Sequence, residues 1–324
     1  MSKKVRAATL DLVNLDDEAF TQLYTHRVEP LLKAREGERQ KAVKACVWRG
    51  SLGTVVALGI TGVSFNFFDV DAVIIIGCLS FGAVYWYAFE PINKVAATAK
   101  IDSLSAISQA IGCEYEYSGF TPDAFPKFNE LLLLPPCDRS GYHDRFGGHH
   151  HGCAFAFCDG HLERKVRSNK STRWVTVFRG QLIKIAFPKQ FLGLTIVRRD
   201  AGMFNFLERW SSSLDRVGLN DSRMEKAFEV YSNDQVEARY LLHPVFMERL
   251  LELETRFKGK NLRCAFVEGN LLIVVEGGDK SEIGSMFSPL ADASRVRTIV
   301  DDLSEILRLI DAVLTAERGA LPTA

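Results

Sequence analysis

The sequence predicts an α+β protein: an N-terminal amphipathic helix, a two-helix transmembrane hairpin, and a cytosolic, mainly antiparallel sheet packed with helices. Three observations predict it. Two apolar runs, Leu52 to Phe68 and Ala72 to Phe89, stand back to back around Asp69-Val70-Asp71 and contain no charged side chain. Between Ala154 and Val275, several short segments alternate apolar and polar residues, are rich in β-formers and are divided by Gly-containing turns. A closing segment, 294 to 317, repeats Val296, Val300, Leu303, Leu307, Ile310 and Leu314 at steps of four and three, the spacing of one helix face.

Residues 1–51 read as a cytosolic amphipathic helical segment. Phe20, Leu23, Tyr24, Val28, Leu31 and Leu32 fall near helical spacing after Asp16 or Asp17 as N-cap, and Pro30 is expected to kink or break the helix. Residues 52–89 form the transmembrane hairpin. A span takes about 20 apolar residues, because lipid offers no partner to backbone N–H and C=O groups. The two runs are slightly short. Trp48, Phe65, Phe67, Phe68 and Tyr85-Trp86-Tyr87 extend them as interfacial aromatic ends, while Arg49 snorkels to the headgroups. Gly53, Gly59 and Gly62 in one helix, with Gly77, Ser80, Gly82 and Ala83 in the other, are expected to let the backbones approach closely.

Flanking charge sets the orientation. Lys33, Arg35, Arg39, Lys41, Lys44 and Arg49 precede the hairpin and Lys94 and Lys100 follow it, whereas its turn offers only Asp69 and Asp71. Positive residues stay on the cytoplasmic side, so both termini are expected there, with the lipid bilayer as the first partner. Lys plus Arg and Asp plus Glu number 40 each, which gives no electrostatic footprint for nucleic acid. Seven cysteines without a framework spacing fit a reducing compartment. The basic start, Met1-Ser2-Lys3-Lys4, meets no apolar stretch before residue 52, so the first span is expected to act as its own uncleaved signal. Oligomeric state is not encoded in any of these features.

Residues 90–112 read as a helical stem starting at Pro91 and stopped by Gly112, and 113–317 as one cytosolic α+β domain, with 318–324 as a flexible tail. Inside the domain, a short helix carries Phe125, Phe128, Leu131 and Leu132, and residues 137–151 are expected to form a Gly- and His-rich loop. Strands are predicted at 154–157, with Asp159-Gly160 as a hairpin signal, at Trp174 to Phe178 and Leu182 to Phe187 around Gly180, and at Leu192 to Val197. Residues 200–224 read as loop with a short helix, followed by a strand at 227–231, a helix from Gln235 interrupted by Pro244, and a hairpin turned by Glu268-Gly269-Asn270.

The block from Phe228 to Leu242, with Pro244 and Phe246-Met-Glu-Arg-Leu250, resembles the signature of an uncharacterised bacterial family. Phe178-Arg-Gly-Gln-Leu-Ile183, Phe187-Pro-Lys-Gln-Phe191 and Leu194-Thr-Ile-Val197 are similar to it as well. That family is a domain of unknown function with two predicted spans, sometimes labelled galanin-like. The resemblance supports the two-span architecture and brings no catalytic or binding residues with it; spans and flanking charge together lead to the expectation of a multi-pass protein of the cell inner membrane.

Chemistry is sparse. There is no G-x-S-x-G elbow, no P-loop, no G-x-G-x-x-G after a strand and no H-E-x-x-H, so no catalytic residue and no cofactor is assigned, and an enzyme is the less favoured reading. The Cys/His-rich stretch 137–161 invites a zinc reading through Cys158, His161, His149 and His151. Spacing argues against it. No C-x2-C pair exists, and a strand sends Cys153 and Cys158 to opposite faces. With a turn at Asp159-Gly160, Cys158 faces His161 and Cys153, Phe155, Phe157, Leu162 and Val166 form the core face; with a straight strand, Cys153 and His161 share a face and Cys158 leaves it. Either way the expectation is no stoichiometric zinc. In the family-like block, Asp234 and Glu237 have the D-x-x-E spacing of a capping box, with Tyr231 before them and Arg239 one turn on. These four residues are expected to form a structural joint, the alternative being a binding surface. Arg239 is expected to pair with Glu225 or Asp234. The function that emerges is an integral membrane protein anchoring a cytosolic binding or regulatory domain, an adaptor, sensor or assembly factor that meets another membrane or cytosolic protein. The alternative is a membrane-anchored enzyme or metal-binding protein using residues 137–161.

Overall fold

The computed structural model describes residues 15–122, 124–168, 171–188, 190–199, 213–219, 222–257, 260–277 and 293–319. The predicted N-terminal start, most of the predicted 200–224 loop and the end of the predicted tail lie outside them. The described residues divide into a helical unit, 17–107 with the first turn of the last helix, and a sheet unit that holds the rest.

In the helical unit, α1 (Asp17–Leu23) passes through a π-helical turn (Tyr24–Val28) into α2 (Glu29–Ser64), and α3 runs from Val70 to Ile111. Pro30 lies in the first turn of α2. The expected break takes the form of a widened turn, in which Glu29 N–H donates to Tyr24 O, five residues back. Among the described residues two helices are long and apolar enough to cross a membrane, Asp17–Ser64 and Val70–Asn93. Where they pack, Gly53 lies against Val84 so closely that an added Cβ would come within 2.7 Å of it, and Gly77 lies against Thr61. Gly59, Gly62 and Gly82 instead face open space, so only part of the predicted small-residue seam is used.

Pro91 does not start a new helix, because α3 continues through it. Proline has no N–H for the carbonyl four residues back, and that carbonyl, Tyr87 O, accepts from Arg49 Nη1 at 3.5 Å. Arg49 also pairs with Glu90 at 3.2 Å and lies over the Tyr87 ring, 4.6 Å from its centroid. The arginine read as reaching for headgroups is engaged with the opposite helix at its proline. Gly112, at φ 76°, then ends the helix as the sequence indicated.

Among the described residues the sheet unit is built on nine antiparallel strands: β1 (Glu114–Ser118), β2 (Arg139–His150), β3 (Cys153–Ser168), β4 (Ser171–Ala186), β5 (Thr195–Arg199), β6 (Asp215–Arg216), β7 (Phe228–Ser232), β8 (Lys260–Val267) and β9 (Asn270–Glu276). Their spatial order is β1-β2-β3-β4-β9-β8-β5-β7-β6. Short helices α4 (Phe125–Glu130), α5 (Ser222–Ala227), α6 (Gln235–Leu241) and α7 (Pro244–Arg256) interrupt the strands, and α8 (Ala293–Gly319) closes the chain. One face shares a core with the α4 region: Phe128, Leu131 and Leu133 cluster with Cys158, Leu162, Phe178, Leu182, Leu272 and Val274. The other face buries Ile183, Ile185, Cys264, Phe266, Ile273 and Val275, with Phe246 of α7 packed on Phe266 at 5.4 Å between centroids. Each such side chain contributes about 1.5–3 kcal/mol on burial. With both faces covered, β9 reads as an unbroken apolar run from Leu271 to Val275 rather than an alternation.

Three sequence expectations are corrected here. The stretch expected to be a loop, 137–151, is mostly strand β2, since pairing with β3 satisfies its backbone despite three glycines. Asp159-Gly160 is not a turn: β3 runs straight through it, pairing Gly160 with Gly180 of β4. The hairpin turns instead at His151-Gly152, whose φ values of 48° and 84° are the two positive angles that a tight two-residue turn requires. The segments either side of Gly180 are one strand, β4. Consequently Cys153 and Phe155 point to one face and Cys158 and Leu162 to the other, so the core face predicted from a turn at 159–160 does not form. The second predicted hairpin, Glu268-Gly269, has φ values of 49° and 74° and joins β8 to β9.

Candidate functional site

The family-like block begins on β7 and turns into α6. Asp234 is extended, at φ −129° and ψ 98°, and its Oδ1 accepts from Val236 N at 3.0 Å and Glu237 N at 2.9 Å, satisfying two of the donors that open a helix. Asp234 N–H donates to Ser232 Oγ at 3.0 Å. Glu237 does not return to that N–H as a capping box would have it. Its two carboxylate oxygens accept from Leu192 N and Gly193 N, each at 2.8 Å, and Asn233 Oδ1 accepts from Leu194 N at 2.8 Å. The turn between β7 and α6 thereby holds the segment that enters β5. Gly193 is required for the approach, because an added Cβ would lie 2.4 Å from Asn233 Oδ1 and 2.9 Å from the Asp234 side chain.

Tyr231 is buried on the face opposite Phe228 and Val230, and its hydroxyl donates to Glu229 at 3.2 Å. Burial and that carboxylate both push its pKa up. Arg239 pairs with neither Glu225 nor Asp234: its Nη2 donates to Gln235 Oε1 at 3.4 Å. Together with Met224, Leu242, His243, Pro244 and Met247 it lines a cavity of about 240 Å³. His243 is the N-cap of α7, accepting from Phe246 N at Nδ1 (3.4 Å) and donating from Nε2 to Ala312 O (3.2 Å). Burial lowers its pKa, so the neutral ring is favoured, and both nitrogens are engaged in structural bonds.

Asp234→Ala is expected to cost about 1 kcal/mol, the usual loss with a cap, and Asp234→Asn or Asp234→Ser to restore most of it. Denaturant melts of the detergent-solubilised chain would measure this. Unchanged stability in Asp234→Ala, with loss of a captured partner, would instead mark 231–239 as a binding surface.

The Cys/His candidates are dispersed. Cys158 is buried among the apolar side chains of one face, where desolvation pushes its thiol up to about 12, away from the thiolate a metal needs. His161 bonds to Thr176 Oγ1 at 2.9 Å. His149 lines a separate cavity of about 250 Å³ with Glu114, Arg145 and Lys184. His151 stands in the β2–β3 turn beside His150, and both approach Asp311 of α8. Asp311 is the residue that sequence reasoning missed, since nothing in its helical context distinguishes it from other surface acids.

No curated protein matches the chain. Among solved structures it is similar to the crystal structure of the mycobacterial trehalose monomycolate transport factor A, TtfA, at 12% identity and a TM-score of 0.32, covering 64% of this chain and 93% of that one. Residues 176–314, which hold most of β4, all of β5 to β9, the capped joint and most of α8, match the model of DUF3137, a protein family of unknown function. That match takes in the block at 228–250 and is in keeping with the uncharacterised family the block resembles.

Proposed function

We propose that the chain is an integral membrane protein whose two apolar helices form a transmembrane hairpin and whose sheet domain, on the cytoplasmic side of the inner membrane, binds another protein as an adaptor, sensor or assembly factor. One observation carries the membrane reading: the apolar side chains of both helices point outward. Val55 is 67% exposed, Leu79 69% and Trp86 76%. Helices of a soluble core would bury such side chains, whereas in lipid this exposure carries no cost. Flanking lysines and arginines and the acidic Asp69-Val70-Asp71 turn support the orientation. A domain held at a membrane meets membrane partners at raised effective concentration, which suits an adaptor, sensor or assembly factor.

The reading is tested by cross-linking in intact membranes followed by capture from detergent extract. A single protein recovered in stoichiometric amount, and lost when the hairpin is replaced by an unrelated anchor or when surface residues of the sheet domain are changed, is the expected result. Recovery of a small metabolite without any protein would overturn it in favour of an enzyme.

A further inference from the structure

His150, His151 and Asp311 place one ligand atom each within 4.8 Å of one another. Asp311 Oδ1 is 2.8 Å from His150 Nε2 and 3.7 Å from His151 Nε2, and the two imidazoles meet edge on with centroids 4.2 Å apart. Two consecutive residues on a straight strand point to opposite faces. Here His150 ends β2 and His151 occupies the left-handed first position of the turn, at φ 48°, so both rings approach the same carboxylate. That backbone conformation is disfavoured for a residue that is not glycine.

We propose that these three side chains form a binding site for a divalent transition-metal ion, with zinc as the best match. Two neutral imidazoles and one carboxylate are a donor set zinc accepts, and three protein ligands leave a fourth position for water. The site is open to solvent on one side: His151 is 59% exposed, while the His150 and Asp311 side chains are 17% and 32% exposed. The ion takes the place of the direct contact between His150 and Asp311. It also ties the β2–β3 turn to α8, two segments far apart in sequence. The expectation of no zinc rested on residues 137–161 alone. The third ligand comes from position 311, outside any spacing rule for that stretch.

The test uses the full chain in detergent, free of any histidine tag, stripped with chelator and titrated with Zn²⁺ against a chromophoric chelator. One zinc per chain is expected, with a rise in melting temperature. Asp311→Asn should weaken binding by more than about tenfold, as should His150→Gln combined with His151→Gln, whereas His161→Gln and His149→Gln should leave it unchanged. Because the turn variants can perturb the hairpin, Cu²⁺ bound to the unaltered chain supplies an independent readout, an electron-spin signal split by two nitrogens. Failure to take up zinc, equal affinity in Asp311→Asn, loss of binding in His161→Gln or His149→Gln, or a copper signal without two nitrogens would each overturn the site.

Discussion

Gly180→Ala is expected to destabilise the sheet domain by about 3 kcal/mol, the upper end of the range for a side chain forced into a packed interior. The added Cβ would stand 2.0 Å from Val275 O, 2.9 Å from Glu276 Cα and 3.0 Å from Gly277 N. All three are backbone atoms, so no rotamer change relieves the clash. The end of β9 would have to move away from β4, and Gly277 N–H donates to Arg179 O at 2.9 Å in that same crossing. Gly180 also pairs with Gly160 of β3, so the displaced segment lies at the middle of the sheet. Melting followed by circular dichroism would show the drop, about 6–12 °C for a domain of this size. Gly141→Ala is the control: its added Cβ would meet only the flexible end of His143, at 3.8 Å, and stability should be unchanged. Equal stability of Gly180→Ala and the unaltered chain would mean that β4 and β9 do not cross as described.

Periodicity carried most of the helical architecture, because a face or an uncharged run is a property of neighbouring residues. The apolar runs, the Gly112 stop, the Pro244 interruption, the Glu268-Gly269 turn and the last helix were all legible. What failed depended on partners distant in sequence. Gly141, Gly147 and Gly148 disfavour a strand locally, yet β2 forms because β3 pairs with it along most of its length. Asp159-Gly160 is a good turn dipeptide that is overridden, since Ser171 to Ala186 supplies a partner for β3 from Ala154 to Ser168. Pro91 reads as a helix start, and Arg49, 42 positions earlier in the sequence, supplies a donor to the carbonyl the proline leaves. At the joint, the cap Asp234 was readable from the D-x-x-E spacing, but Glu237's bonds to Leu192 and Gly193 were not, since they cross 45 and 44 positions. The same limit hid Asp311 from His150 and His151.

In the proposed topology residues 52–89 cross a membrane twice, so that the segments before and after them lie on one side. Selective labelling tests it most directly. The buried Cys46, Cys153, Cys158 and Cys264 can stay, while Cys78, Cys113 and Cys137 are replaced by alanine. Single cysteines are then placed at Val70 in the hairpin turn, at Glu18 before it, and at Val236, 80% exposed on the sheet domain. Intact cells, or spheroplasts where an outer membrane is present, are treated with a membrane-impermeant maleimide. Labelling is expected at Val70 without permeabilisation, and at Glu18 and Val236 only after it. Labelling at Val236 or Glu18 while the membrane is intact, with Val70 protected, would contradict it.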